Sequence, residues 1–128
     1  MRIEHLAFNV KEAPAMISWY QEHLGMPIHF KSESPVYVAF LGEAPGIMEI
    51  YNNPEKPYLD FKSLHQSAFH LAFVSLDLKA DIERLEKAGA TLIDDDGMDK
   101  DGYGTPFLRC PFGLPIQLCR RRTPIDGN

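Results

Sequence analysis

An internal repeat limits what this 128-residue chain can fold into. The tetrapeptide His-Leu-Ala-Phe occupies residues 5–8 and returns unchanged at residues 70–73, an offset of 65. After each copy comes a stripe of apolar residues at helical spacing, and a glycine follows each stripe, Gly25 in the first case and Gly89 in the second. These are the signs of an amphipathic helix and its end.

A third match lies further along each half of the chain. The segment Ile-Met-Glu-Ile-Tyr at 47–51 corresponds to Pro-Ile-Gln-Leu-Cys at 115–119, with Glu49 and Gln117 at an offset of 68. Three matching features in one order and at nearly one spacing indicate a tandem duplication.

Each half shows the same order of patterns: a strand, a helix and then three strands. The sequence therefore predicts an α+β fold of two βαβββ modules. In the first half the strands are predicted at about 2–9, 27–31, 35–41 and 46–51 with a helix at 13–24, and in the second half at about 68–75, 91–94, 104–110 and 114–120 with a helix at 79–88.

Charge and composition exclude some functions. Thirteen basic residues against eighteen acidic ones give a net charge of −5, which argues against nucleic-acid binding. No apolar run approaches the length of a membrane span, so no membrane partner is expected. The amino terminus lacks the apolar core of a signal peptide, and two cysteines are too few for a disulfide framework, so we expect a cytoplasmic protein.

Four polar side chains take related positions in the predicted modules. His5 and His70 lie on the polar face of the first strand of each half, and Glu49 and Gln117 lie on the polar face of the fourth. Two imidazoles, a carboxylate and an amide oxygen suit one divalent ion, with Ni, Zn, Co, Mn and Fe all acceptable. The alternative is that each histidine is a hydrogen-bonded structural residue.

Two segments resemble the vicinal oxygen chelate superfamily, which includes glyoxalase I, bleomycin resistance proteins, fosfomycin resistance enzymes and extradiol dioxygenases. They are residues 18–26, which are similar to the helix ending of the first module, and residues 70–90, which are similar to the second strand–helix unit.

The resemblance implies one domain over residues 1–122, with modules at about 1–52 and 68–122 and a tail at 123–128. It implies an open, curved, mixed β-sheet around a cavity, a metal held by His5, Glu49, His70 and Gln117, and a homodimer.

One departure from the family bears on the chemistry. Glyoxalase-like enzymes usually carry at position 117 a glutamate that serves as both ligand and base, whereas this chain has Gln117. A neutral amide can ligate through its oxygen but cannot accept a proton near pH 7. The catalytic base would then be Glu49, and the site would have a net charge of +1.

Three functions follow from this pattern. The first is a metal-dependent lyase or isomerase acting on a small substrate whose vicinal oxygens the metal chelates. The second is a non-haem iron ring-cleavage dioxygenase, because two histidines and one carboxylate match the facial triad. The third is a non-catalytic protein that binds a small molecule or an antibiotic.

Candidate substrate contacts lie on the later strands of each half. Tyr51 and Cys119 fall on the predicted cavity face, with plain strand packing as the alternative, and Arg109 lies inside a strand whose orientation the sequence leaves open. The run Arg120–Arg122 could bind a carboxylate or a phosphate, with a solvated tail as the alternative.

Overall fold

The computed structural model describes residues 1–95 and 97–126, and it divides the chain into two compact units, residues 1–60 and 61–128. Unit 1 contains β1 (Leu6–Asn9), α1 (Ala13–Leu24), β2 (Ile28–Ser32), β3 (Tyr37–Leu41) and β4 (Met48–Asn52). Unit 2 begins with a 3-10 turn (Phe61–Ser63) and contains β5 (Leu71–Val74), α2 (Leu78–Lys87), β6 (Thr91–Asp94), β7 (Phe107–Arg109) and β8 (Pro115–Cys119).

Each unit has one four-stranded mixed sheet of the same topology. The strand order is β1-β4-β3-β2 in unit 1 and β5-β8-β7-β6 in unit 2. The first strand of each unit pairs in parallel with the fourth, and the remaining pairs are antiparallel. The predicted α+β fold of two βαβββ modules is confirmed.

The helices form where the apolar spacing predicts them. In α1 the buried stripe contains Met16, Ile17 and Tyr20, each about 1% exposed or less. Burying side chains of this size contributes roughly 1.5–3 kcal/mol each, which fixes the helix to its sheet. Gly25 ends α1 in the left-handed conformation (φ 65°), and its N–H donates to the carbonyl of Tyr20.

The second helix carries its own start signal. The side chain of Asp77 accepts a hydrogen bond from the N–H of Ala80, which satisfies a donor that the first turn leaves open. Leu78, Ile82 and Leu85 form its buried stripe. Neither α1 nor α2 is long and apolar enough to cross a membrane, and the same holds for every helix in the described part of the chain.

The first strand of each module begins later than predicted. The sequence predicts strands from residues 2 and 68, but β1 begins at Leu6 and β5 at Leu71. The β1–β4 ladder starts where the N–H of Leu6 donates to Ile47, and β4 itself is only five residues long. Before β5, the backbone N–H groups of residues 68 and 69 donate to His65 in a turn. His5 and His70 therefore each stand one residue ahead of a strand.

Asn9, at the end of β1, organises the segment that follows β4. Its Nδ2 faces the backbone carbonyls of Asn53, Lys56 and Pro57 at 3.0, 3.3 and 2.9 Å. Its Oδ1 accepts the N–H of Asn53 at 2.7 Å, and the residue is only 8% exposed. One buried amide thus provides hydrogen-bond partners for several backbone groups of a segment that has no regular secondary structure.

We predict that Asn9→Ala lowers the free energy of unfolding by about 2–4 kcal/mol, because several polar groups lose their partner inside the protein. Urea unfolding followed by circular dichroism measures the change. Asn52→Ala is the matched control, since its amide donates a single exposed hydrogen bond, to Lys11, and its loss should cost less. Equal losses for the two variants would contradict this role of Asn9.

Candidate metal and substrate site

The parallel strand pair of unit 1 brings His5 and Glu49 together. Glu49 lies on β4, opposite Ala7 of β1, and the small alanine side chain leaves room beside the carboxylate. Nε2 of His5 is 3.3 Å from Oε2 of Glu49, and both side chains are partly buried, at 31% and 24% exposure.

The second nitrogen of His5 is already engaged. Nδ1 lies 2.9 Å from Oε1 of Glu4, a contact in which only the imidazole can donate. A neutral imidazole has one N–H for two carboxylate neighbours. With that N–H on Nδ1, a bare Nε2 faces Glu49, and an added proton or a shared cation would relieve the repulsion. Two ligands bound at about 2.0–2.2 Å to one metal ion lie about 3 Å apart, which matches the observed separation.

In unit 2 the corresponding histidine is oriented by the backbone. Nδ1 of His70 is 2.7 Å from the carbonyl oxygen of Gln66, and a carbonyl can only accept. In the neutral ring Nδ1 therefore carries the proton, and Nε2 has the lone pair that metal ligation requires. A hydrogen bond at the remote ring nitrogen is the usual support of a metal-binding histidine.

Gln117 lies on β8, opposite Ala72 of β5, as Glu49 lies opposite Ala7. Its Nε2 donates to the carbonyl of Thr105 at 3.0 Å, which fixes the amide and leaves Oε1 as the atom able to ligate. The thiol of Cys119 lies 3.6 Å from that oxygen. Burial raises the pKa of the Cys119 thiol, so it remains protonated and acts as a donor.

Two phenylalanines that sequence reasoning missed contact the histidine rings. The rings of Phe40 and His5 meet edge to face with centroids 5.3 Å apart, and those of Phe107 and His70 do so at 4.9 Å. Phe40 is also the antiparallel neighbour of Glu49 on β3, as Phe107 is of Gln117 on β7. Their offset of 67 fits the repeat, and that was the signal that could have found them.

The structure thus places His5 and Glu49 in contact, while His70 and Gln117 each hydrogen-bond a backbone carbonyl of unit 2. Within residues 1–95 and 97–126 no group of three or more His, Cys, Asp or Glu side chains is placed to hold a metal ion. The combination of His5, Glu49, His70 and Gln117 into one metal centre stays a prediction.

The three candidate substrate contacts differ in what surrounds them. The guanidinium of Arg109 donates to the carbonyls of Phe61, Leu64 and Gly113, so its donors tie the start of unit 2 to the turn before β8. Tyr51 is half-buried on the same face of the unit 1 sheet as Glu49. Cys119 lines a cavity in unit 2. Substrate contact by each of these residues stays a prediction.

Comparison with known proteins points to one family. The family model described as Glyoxalase/Bleomycin resistance protein/Dioxygenase superfamily matches residues 2–118. The chain is 27% identical over 124 residues to the uncharacterized protein YwbC of Bacillus subtilis (strain 168), covering 94% of this chain and 98% of that one.

Two solved structures show the same fold. Glyoxalase I from Zea mays is 25% identical with a TM-score of 0.73 over 96% of this chain, which spans 46% of the maize chain. A glyoxalase family protein from Bacillus cereus is 19% identical with a TM-score of 0.75, covering 92% of both chains.

The hydrogen bonds of the histidines predict their tautomers. His70 donates from Nδ1 to a carbonyl, whereas His29 donates from Nε2 to the carbonyl of Gly42. At about pH 8.5, above the ordinary imidazole pKa, two-bond ¹H–¹⁵N correlation spectra should therefore report opposite tautomers for the two rings. His29 serves as the internal control, and an Nε2-protonated His70 would contradict the ligand geometry.

Proposed function

Because this chain belongs to the Glyoxalase/Bleomycin resistance protein/Dioxygenase superfamily, we propose that it is a metal-dependent lyase or isomerase acting on a small substrate with vicinal oxygens. Membership of the superfamily confirms the resemblance found in the sequence. The reaction class, the metal and the ligand set are the proposal. The homodimer and the cytoplasmic location stay predictions.

The observation that carries the proposal is the contact between His5 and Glu49. Nε2 of His5 and Oε2 of Glu49 are 3.3 Å apart, a separation typical of two ligands of one metal ion. The other ring nitrogen of His5 contacts the carboxylate of Glu4. Nδ1 of His70 hydrogen-bonds the backbone, which leaves Nε2 bare in the neutral ring, and the amide of Gln117 is fixed by the carbonyl of Thr105. We propose these four side chains, His5, Glu49, His70 and Gln117, as the metal ligands.

A divalent cation held by these ligands would act as a Lewis acid on the substrate oxygens. The protein side chains would carry out proton transfer and orient the ligands. Glu49 accepts the substrate proton, because it is the one carboxylate in the proposed set, while Gln117 orients through its oxygen and takes no proton. The edge-on contacts of Phe40 and Phe107 keep the imidazole planes fixed.

Metal retention tests this proposal. Untagged protein is purified without chelator, incubated with Ni²⁺, Co²⁺, Zn²⁺, Mn²⁺ or Fe²⁺, desalted and measured by inductively coupled plasma mass spectrometry. We expect near-stoichiometric retention of at least one ion. His5→Gln and His70→Gln should each weaken retention at least tenfold, since a lost ligand costs no less than a lost supporting hydrogen bond.

The matched controls are His29→Gln in unit 1 and His65→Gln in unit 2, which change the same residue type outside the proposed site and should retain the metal. Gln117→Glu should bind the cation more tightly, because it adds a second carboxylate. Selective retention of Fe²⁺ would favour the dioxygenase reading over the lyase. Failure to retain any ion of the panel would overturn both, leaving a non-catalytic binding protein.

A further inference from the structure

A cavity of about 570 Å³ opens in unit 2, beside the carboxyl end of β5. Small-molecule sites usually measure roughly 300–1,000 Å³. Val74, Leu76 and Ile125 line this cavity while remaining 87%, 85% and 87% exposed. Three large aliphatic side chains left in water around one concavity are typical of a surface that receives an apolar ligand.

Strand register relates the cavity to the proposed ligand of this unit. In the parallel pair of β5 and β8, Ala72 lies opposite Gln117 and Val74 lies opposite Cys119. Side chains two residues apart on a strand share a face, so the cavity opens on the face of the sheet that carries Gln117. A molecule bound in it would lie further along the same strands.

Arg121 gives the cavity a positive charge. It belongs to the lining of the cavity, and its side chain is exposed. Among residues 1–95 and 97–126 no carboxylate forms an ion pair with it. An exposed guanidinium over an apolar concavity is suited to bidentate binding of a carboxylate.

The neighbouring arginines, Arg120 and Arg122, are engaged in contacts within the protein. Arg120 donates to the carbonyls of residues 101 and 102 and stacks on the ring of Tyr103 at 4.5 Å. Arg122 lies 4.2 Å from the centre of the same ring and pairs with Asp99 at 2.9 Å. These contacts hold Tyr103 in the cavity wall and leave Arg121 as the arginine available to a ligand.

We propose that this cavity binds a small monocarboxylate with an apolar tail, with Arg121 on the carboxylate and the side chains of Val74, Leu76 and Ile125 on the tail. Asp126 also lines the cavity, so two arginines and one carboxylate leave a local charge of +1, which suits a monoanion better than a phosphate dianion. The binding of this ligand is independent of the proposed function. Only the identification of the ligand as the substrate rests on that function.

Isothermal titration calorimetry on the EDTA-treated, full-length protein tests the inference without any metal present. The probes are hexanoate, hexanamide and hexyl phosphate, which share a tail and differ in charge. We expect hexanoate to bind at least tenfold more tightly than hexanamide, the usual effect of a charged partner in a hydrogen bond, and no less tightly than hexyl phosphate.

Arg121→Gln should lower hexanoate affinity about tenfold and leave hexanamide affinity unchanged, whereas Arg2→Gln, the same change at an exposed arginine of unit 1, should alter neither. Ile125→Ser should weaken both ligands alike, because it removes tail contacts only. Unfolding curves of the variants confirm that they are folded. The inference would be overturned if hexanoate did not bind, if hexanamide bound equally well, if hexyl phosphate bound more tightly, or if Arg121→Gln bound hexanoate normally. None of these results would change the expected metal retention.

Discussion

The parallel pairing of the first and fourth strands determines the rest of each module. A parallel neighbour requires a crossover connection, which here contains the helix and the two strands between. The register places an alanine opposite residue 49 and another opposite residue 117. With no larger side chain in the way, the histidine just ahead of the strand can approach the carboxylate, as His5 does. The contact between His5 and Glu49 therefore depends on the ladder of hydrogen bonds between β1 and β4.

The two copies of the module differ at the equivalent positions 49 and 117. Unit 1 keeps Glu49, a carboxylate next to an imidazole, while unit 2 has Gln117, whose amide is tied to the carbonyl of Thr105. On the proposed function, unit 1 supplies the base and unit 2 supplies a neutral ligand. The cavity with Arg121 belongs to unit 2, so this unit would contribute more to substrate recognition than to proton transfer.

The sequence predicts the fold well because its strongest signal is the repeat. Both halves of the chain show the same order of one strand, one helix and three strands. The sequence predicts the strand boundaries less well, because they depend on hydrogen bonds to residues that are distant along the chain or lie in a turn. The late starts of β1 and β5 depend on where Ile47 and His65 present their carbonyls, and periodicity carries no such information.

The candidate site divides in the same way. The pairing of His5 with Glu49 follows from alternation along the strands, whereas the contacts of Phe40 and Phe107 require the register of a neighbouring strand. The backbone contacts of Arg109 involve a turn, and Arg121 lies in the irregular segment after β8. Neither segment has the repeating apolar pattern on which a prediction from sequence depends.

The proposed function requires one imidazole from each half of the chain, His5 and His70, to bind a single metal ion. X-ray absorption spectroscopy of the protein loaded with one equivalent of Co²⁺ or Ni²⁺ tests this directly, because imidazole rings produce distinctive outer-shell scattering. We expect two imidazoles with oxygen ligands and no sulfur in the first shell of the metal, and one imidazole in His5→Gln or His70→Gln. A first shell that contains sulfur, or no more than one imidazole in the unaltered protein, would contradict it.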